Sequence, residues 1–306
     1  MAYVLIHRLL QTSLILFGVA AITFILLYAL PADPARMIAG RSATAQTVAN
    51  IRHELGLDQS LLVQFWHYLG NLFHGNFGRS YAQKTDVGLL LLSRLPATLV
   101  LMASGIATEV LLGTILGVAA AVKRGSFIDN LVMMTSFVGV SAPQFVVALL
   151  LLYVFAVTLG WFPMSGYGTW AHVVLPATTL GVLGAGWYAR MVRSAMIDVL
   201  NQDYVRTARA KGVSARVMTY KHAFRNAALP ILTVLGGVLG GLLSGAVLTE
   251  TIFSWPGIGR YATEAAVSLD FPAIMGVTLV AGLAYSLINL LVDLLYATLD
   301  PRISYG

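Results

Sequence analysis

Residues 203–230 read DYVRTARAKGVSARVMTYKHAFRNAALP, a basic stretch between two long apolar runs. From Arg193 to Arg225 the chain carries seven Arg and Lys against Asp198 and Asp203. Asp203 can cap a helix through VRTARAK or lie in its first turn, Gly212 suits the left-handed residue that ends it, and Ser214 can cap a second helix, ARVMTYKHAFRNAAL. The pattern predicts a helix, a sharp turn and a second helix running to Pro230, where the next apolar run starts. Basic residues beside apolar runs mark the cytoplasmic face of a membrane and attract anionic lipid, by about 1 kcal/mol per side chain. Charge bias alone does not require an ordered helix, glycine and helix. A short cytoplasmic helix whose Ala208 and Ala210 keep its backbone close to a neighbour has the form of a docking element for another protein.

Composition sets the solvent for the rest. Of 306 residues, 58% are hydrophobic and 10% charged, and the mean hydropathy is +0.80. Soluble domains carry about 25% charged residues, so most of this surface must meet lipid. The net charge of +6 sits beside apolar spans rather than on a nucleic-acid face. Windows of about 20 apolar residues, enough to cross roughly 30 Å of hydrocarbon, predict six helices near 9–30, 98–122, 131–158, 173–192, 229–252 and 274–298. The first run is longer than the h-region of a signal peptide and reads as an uncleaved span. If the spans alternate, Arg8, Lys123, Arg124, the cluster from Arg190 to Arg225 and Arg302 share one side, which places both termini in the cytoplasm.

The opposite side receives residues 31–97 and the loops 159–172 and 253–273. In HELGLDQSLLVQFWHYLGNLF, Leu61, Leu62, Phe65, Leu69 and Phe73 recur at helical spacing and predict amphipathic helices on the outer face. His53, His67 and His74 lack the i, i+4 spacing of a helical metal site and read as surface positions. The chain thus divides into 1–30, 31–97 and a five-helix part, 98–306, that contains the cytoplasmic loop 193–228.

Within the spans, glycines four apart (Gly113 and Gly117, Gly236 and Gly240, Gly237 and Gly241, Gly241 and Gly245) let helix backbones approach closely, in a bundle or an oligomer interface. Pro143 and Pro176 should kink their spans. Glu109 lies near the middle of the second span, where a charge is costly, so it should face the bundle interior as a protonated or hydrogen-bonded structural group or, failing that, as a pathway residue. Ser141, Gln144, Ser244 and Asn289 are the further pathway candidates. Glu250 and Asp293 lie near helix ends and read as solvated.

Several classes fall away. None of the four lysines follows a glycine, so no G-x-x-x-x-G-K-[ST] phosphate loop exists. H-E-x-x-H, G-x-S-x-G and cysteine are absent, and nothing supports an enzyme. A stand-alone secondary transporter would usually show inverted repeats and paired ionisable groups at midplane; neither is visible.

YVRTARAKG at 204–212 and HAFRNAALP at 222–230 resemble the cytoplasmic signature loop of permease subunits of binding-protein-dependent ABC importers, specifically the B-type permeases of the peptide/nickel group. The wider superfamily carries Glu-Ala-Ala where Arg206, Thr207 and Ala208 stand, a departure typical of this group. LPADPAR at 30–36, LGLDQ at 55–59, FSWPGIGR at 253–260, DFPAIMG at 270–276 and NLLVDLLYATLDPRI at 289–303 extend the resemblance nearly end to end.

The resemblance implies an all-α membrane protein of type I ABC importer permease architecture, with six transmembrane helices and a helical extracytoplasmic segment. It implies a bacterial inner-membrane subunit that forms half of a pathway with a homologous second permease, two cytoplasmic ATPase subunits that hold ATP and Mg, and an extracytoplasmic solute-binding protein. No cofactor is expected in this chain. The coupling residues it implies are Asp203, Tyr204, Arg206, Thr207, Ala208, Arg209, Lys211, Gly212, Val213, His222 and Asn226; Trp255, alternatively a membrane-interface anchor, and Arg260 are implied to face the binding protein. Dipeptides, short oligopeptides and glutathione are the expected cargo, with nickel or its chelates as the alternative.

Overall fold

The computed structural model describes residues 2–29, 33–40, 43–228, 231 and 246–299. Its helices in order are α1 (Ala2–Ala29), α2 (Pro34–Ala39), α3 (Ala45–Glu54), α4 (Leu61–Phe73), α5 (Val87–Val122), α6 (Phe127–Ser141), α7 (Gln144–Leu151), α8 (Trp170–Leu200), α9 (Asp203–Ala210), α10 (Ala215–Val217), α11 (Ile258–Val267) and α12 (Phe271–Leu299). Wider π-helical turns continue α7 over Leu152–Thr158 and α10 over Met218–Ala223. Among the described residues, α1, α5 and α12 are long and apolar enough to cross a membrane, and the sharply bent pair α6 and α7 is apolar enough to form a broken span or a re-entrant loop.

The boundaries differ from the sequence expectation where local chemistry overrides hydropathy. Helix α5 begins at Val87 rather than near 98, because Arg94 and Pro96 lower the hydropathy without ending the helix. Its 36 residues reach about 54 Å, more than a bilayer needs. The third span breaks outright at Pro143, which caps α7 while Ala142 before it turns extended, and α6 and α7 meet at 107°. Pro176 lies inside an unbroken α8. Gly236, Gly237, Gly240, Gly241, Gly245 and most of the fifth expected span lie outside the described residues.

The chain forms two compact units, one of residues 1–96 and 257–286, the other of 97–256 and 287–306. In the first, Val87, Leu91, Ile258, Tyr261, Ala265, Ala273 and Val277 form a buried apolar core. Asp270 starts α12 beside it. Its carboxylate accepts hydrogen bonds from the Ser80 hydroxyl, Tyr81 N at 3.1 Å and Ala82 N at 3.2 Å, so a charge that is 1% exposed is fully partnered.

In the second unit α5 packs on α8 through glycines from both sides. A Cβ at Gly117 would stand 2.6 Å from the Ala189 carbonyl oxygen, and one at Gly181 would stand 2.5 Å from Thr108 Cβ. Lipid offers helices no hydrophobic drive to associate, so close van der Waals packing of this kind must hold them together. The glycine spacing left bundle and oligomer open; Gly113 and Gly117 serve a contact within the chain. Buried Leu101, Tyr188, Val192, Met196 and Trp255 belong to the core that this packing builds.

Candidate functional site

The basic loop folds as its local sequence dictates. Helix α9 starts at Asp203, which lies in the first turn while Gln202 precedes it without a side-chain cap. It ends at Gly212 in the left-handed region, φ +78°, with Val213 N bonded to Ala208 O at 3.2 Å. Ser214 then caps the next helix by accepting from Val217 N.

Two contacts fasten α9 to the body of its unit. Val205 is fully buried, which stabilises by about 1.5 kcal/mol or more. The Asn226 amide donates to the Tyr204 hydroxyl at 2.7 Å, tying α9 to the helical turns that follow it. Tyr204 and Phe224 pack on the core of Met196, Val199, Ala223 and Ala227. The opposite face is open: Asp203, Arg206, Thr207, Arg209, Lys211 and Gly212 are exposed, Ala208 and Val213 half-buried, and His222 exposed beyond the turn. The 3.6 Å contact of Arg206 with Asp203 is solvated on both sides and contributes little. The result is a small basic platform on a rigid footing.

Of the eleven expected coupling residues, Tyr204 and Asn226 therefore hold the loop together. The sequence reading missed Val205, although Tyr204, Val205 and Ala208 fall on one helical face.

It also missed the pair that fixes the platform's approach. Asp129, 3% exposed near the start of α6, takes both Nε and Nη2 of Arg193, the latter at 2.7 Å, and accepts from Gly125 N at 2.9 Å. The signal was Ser126-x-x-Asp129, a capping-box spacing, and the Ser126 hydroxyl does accept from Asp129 N.

A second polar group lies deeper in this unit. Glu109 is buried, and its carboxylate fills the space beside Gly184, as its place inside the span led us to expect. Gln144, half-buried just past the Pro143 break, donates to the Thr249 hydroxyl at 2.8 Å, and the Thr98 hydroxyl donates to Glu250 at 2.7 Å. The reading of Glu250 as solvated is corrected: it is fully buried, because hydropathy locates a helix end without showing what packs on it. Ser141 is exposed, Asn289 half-buried, Ser244 outside the described residues, and the Asp293 side chain likewise.

Trp255 needs a correction too. It is fully buried, its indole N–H donates to Ala97 O at 2.8 Å, and Tyr167 meets it edge-on at 4.8 Å, so it offers nothing to a binding protein or a membrane interface here. Arg260 is half-exposed and reaches Glu264 at 2.9 Å. Among the described residues no three His, Asp or Glu side chains converge on a point that could hold a metal ion.

Residues 113–305 match the family of binding-protein-dependent transport system inner membrane components, and residues 1–102 match its N-terminal component. The chain is 44% identical over 303 residues to the glutathione transport system permease protein GsiC of Salmonella typhimurium strain LT2, covering 99% of both. The GsiC protein of Escherichia coli K12 is 43% identical over 300 residues, 98% of each chain. Among solved structures, the inward-facing MetNI methionine ABC transporter aligns with a TM-score of 0.57 at 18% identity, covering 69% of this chain and 97% of that one. An amino acid ABC transporter with histidines gives 0.52 at 19%, covering 69% and 94%. At such identities the likeness speaks for the fold, that of type I ABC importer permeases. The protein is an apolar, multi-pass permease subunit of an ABC importer and not itself an enzyme. It belongs to the family of binding-protein-dependent transport system inner membrane components.

Proposed function

We propose that this subunit forms half of the path by which an ATP-driven importer takes up short peptides, glutathione first among them, and that α9 receives the stroke of the ATPases. The protein works with a second permease, ATPase subunits and a solute-binding protein. In this reading ATP and Mg stay in the ATPases, six spans cross the membrane with both termini inside, and residues 31–97 connect the first two spans from the outer side.

One observation carries the coupling role: α9 is anchored by Val205 and Tyr204 and leaves Arg206, Arg209 and Lys211 free to meet a partner. A helix fixed on one face transmits a push as rigid-body motion, whereas a loose loop would absorb it. The glutathione reading is supported by full-length relatives named for glutathione transport, which favour it over nickel.

The test is ATP-driven uptake of labelled glutathione, a dipeptide and nickel by the reconstituted complex, with Gly212→Ala and Gly212→Trp compared. No atom lies within 4 Å of a Cβ at Gly212, so both variants strain the same left-handed backbone but only Trp adds bulk on the open face. Uptake kept by Ala and lost by Trp, with ATPase activity no longer stimulated, is expected. Equal behaviour of the two variants would sink the docking role, and uptake of nickel alone would sink the peptide assignment.

A further inference from the structure

Helix α4 sits at the depth of the spans, although its apolar spacing alone suggested a helix resting on the outer face. Phe65 packs against both Phe17 and Phe24 of α1, with ring centroids 5.9 and 5.2 Å apart. The apolar span of α1 is Ile6–Leu27, so Phe17 lies about 15 Å below its Leu27 end, near the middle of a stretch about 33 Å long. A shared cleft gives a similar depth. Trp66, Leu69 and Phe73 wall a cleft of about 420 Å³ together with Leu16 of α1 and Leu279 and Leu283 of α12. Those two leucines lie near the middle of the second apolar span, Phe271–Val292.

A helix packed on the middle of one span, and lining a cleft with the middle of another, does not rest above the bilayer. Its outward surface carries a stripe of apolar side chains, Leu62, Trp66 and Phe73, which are 72, 63 and 89% exposed, flanked by the exposed polar side chains of His67, Asn71 and His74. The neighbouring α1 turns the same kind of surface outward, with only 11% of its span buried, so the two faces share one solvent. The C-terminal end of α4 is capped by hydrogen bonds of its own. His74 Nδ1 bonds Gly70 O at 2.8 Å, Asn76 N bonds Asn71 O at 2.9 Å and Gly75 N, at φ +75°, bonds Leu72 O at 2.9 Å. Hydrocarbon demands that backbone groups be satisfied internally in this way.

We propose that α4 is immersed in the bilayer hydrocarbon and that its cleft with α1 and α12 takes a phospholipid acyl chain. Helices α2 and α3, with Arg36, Arg52 and Glu54, stay in water.

The absence of cysteine makes the test direct. Single-cysteine variants Leu62→Cys, Trp66→Cys and Phe73→Cys of the assembled transporter are spin-labelled in proteoliposomes, with Leu14→Cys of α1 and Ala49→Cys of α3 as lipid and water references. Labels on α4 should collide with oxygen as Leu14→Cys does and be shielded from a water-soluble nickel chelate. Accessibility like that of Ala49→Cys, or immobile labels shielded from both quenchers as under a partner subunit, would overturn the proposal. The unlabelled chain gives a second reading: quenching by brominated phospholipid, with the Trp66 share taken by difference from Trp66→Phe, should be substantial, and a zero difference would equally refute it.

Discussion

Gly117 of α5 lies so close to Ala189 of α8 that a methyl group on Gly117 would stand 2.6 Å from the Ala189 carbonyl oxygen and 2.7 Å from Val192 Cβ. Backbone cannot step aside as a side-chain tip can. Gly117→Ala should therefore force the helices apart at a cost of about 1–3 kcal/mol, seen as a lower melting temperature of the purified complex. Gly125→Ala, where a Cβ meets nothing within 4 Å, carries only the strain of its positive φ and serves as the comparison.

Glu109 and Gly184 divide one space between them. A Cβ at Gly184 would collide with the Glu109 carboxyl group, so Gly184→Ala must displace the carboxylate. If Glu109 is a structural group, Glu109→Gln keeps transport near the native rate and Gly184→Ala does not. Shortening the competitor should then help: Glu109→Ala in the Gly184→Ala background should recover part of the lost stability, a coupling of about 0.5–3 kcal/mol in a double-mutant cycle. Loss of transport in Glu109→Gln with normal assembly would make Glu109 a pathway residue instead.

The bidentate pair of Asp129 with Arg193 joins α6 to α8 just before the basic loop. Because Asp129 is nearly enclosed while Arg193 keeps a quarter of its side chain in solvent, removing either partner should cost less than the 3–5 kcal/mol of a fully buried pair, about 2 kcal/mol. Asp129→Ala and Arg193→Ala should lower the melting temperature by similar amounts, and the double variant by less than their sum. Additive losses would show that the pair does not act as a unit.

Trp255→Phe separates a packing role from a contact role. The variant loses the bond to Ala97 O and part of the buried ring, about 2 kcal/mol together, so thermal stability should fall. Affinity for the solute-binding protein, measured on the intact complex, should not change. Weaker binding with unchanged stability would restore the contact role.

His53 and Asp58 offer a pH dependence outside the spans. The hydrogen bond of Asp58 to His53 Nδ1, at 2.7 Å, raises the imidazole above its ordinary value, and the same bond lowers the Asp58 carboxyl. The histidine contribution is complete below its unfolded pKa and is lost as pH rises through the raised value. The aspartate contribution is complete above its unfolded pKa and is lost as pH falls through the lowered one. The turn after α3 should thus be tightest between the two folded values, and Asp58→Asn should return the NMR titration midpoint of His53 toward about 6.5.

Much of this molecule is legible from residue order, because the determining forces act locally. A run of apolar residues names its solvent wherever it folds, a glycine such as Gly212 meets a left-handed backbone that penalises other residues, and Ser214 caps the helix that begins beside it. Lipid exposure, the helix, turn and helix of the basic stretch and a bend at Pro143 follow from such short-range physics. Tertiary structure decided what depends on neighbours distant in the chain. Whether Gly113 and Gly117 face a second molecule or α8, whether Glu250 and Trp255 meet solvent or Thr98 and Ala97, and which charge answers Arg193 are set by residues tens to more than a hundred positions away. Hydropathy is a property of a segment, whereas burial is a property of a contact, and only folding makes the contact.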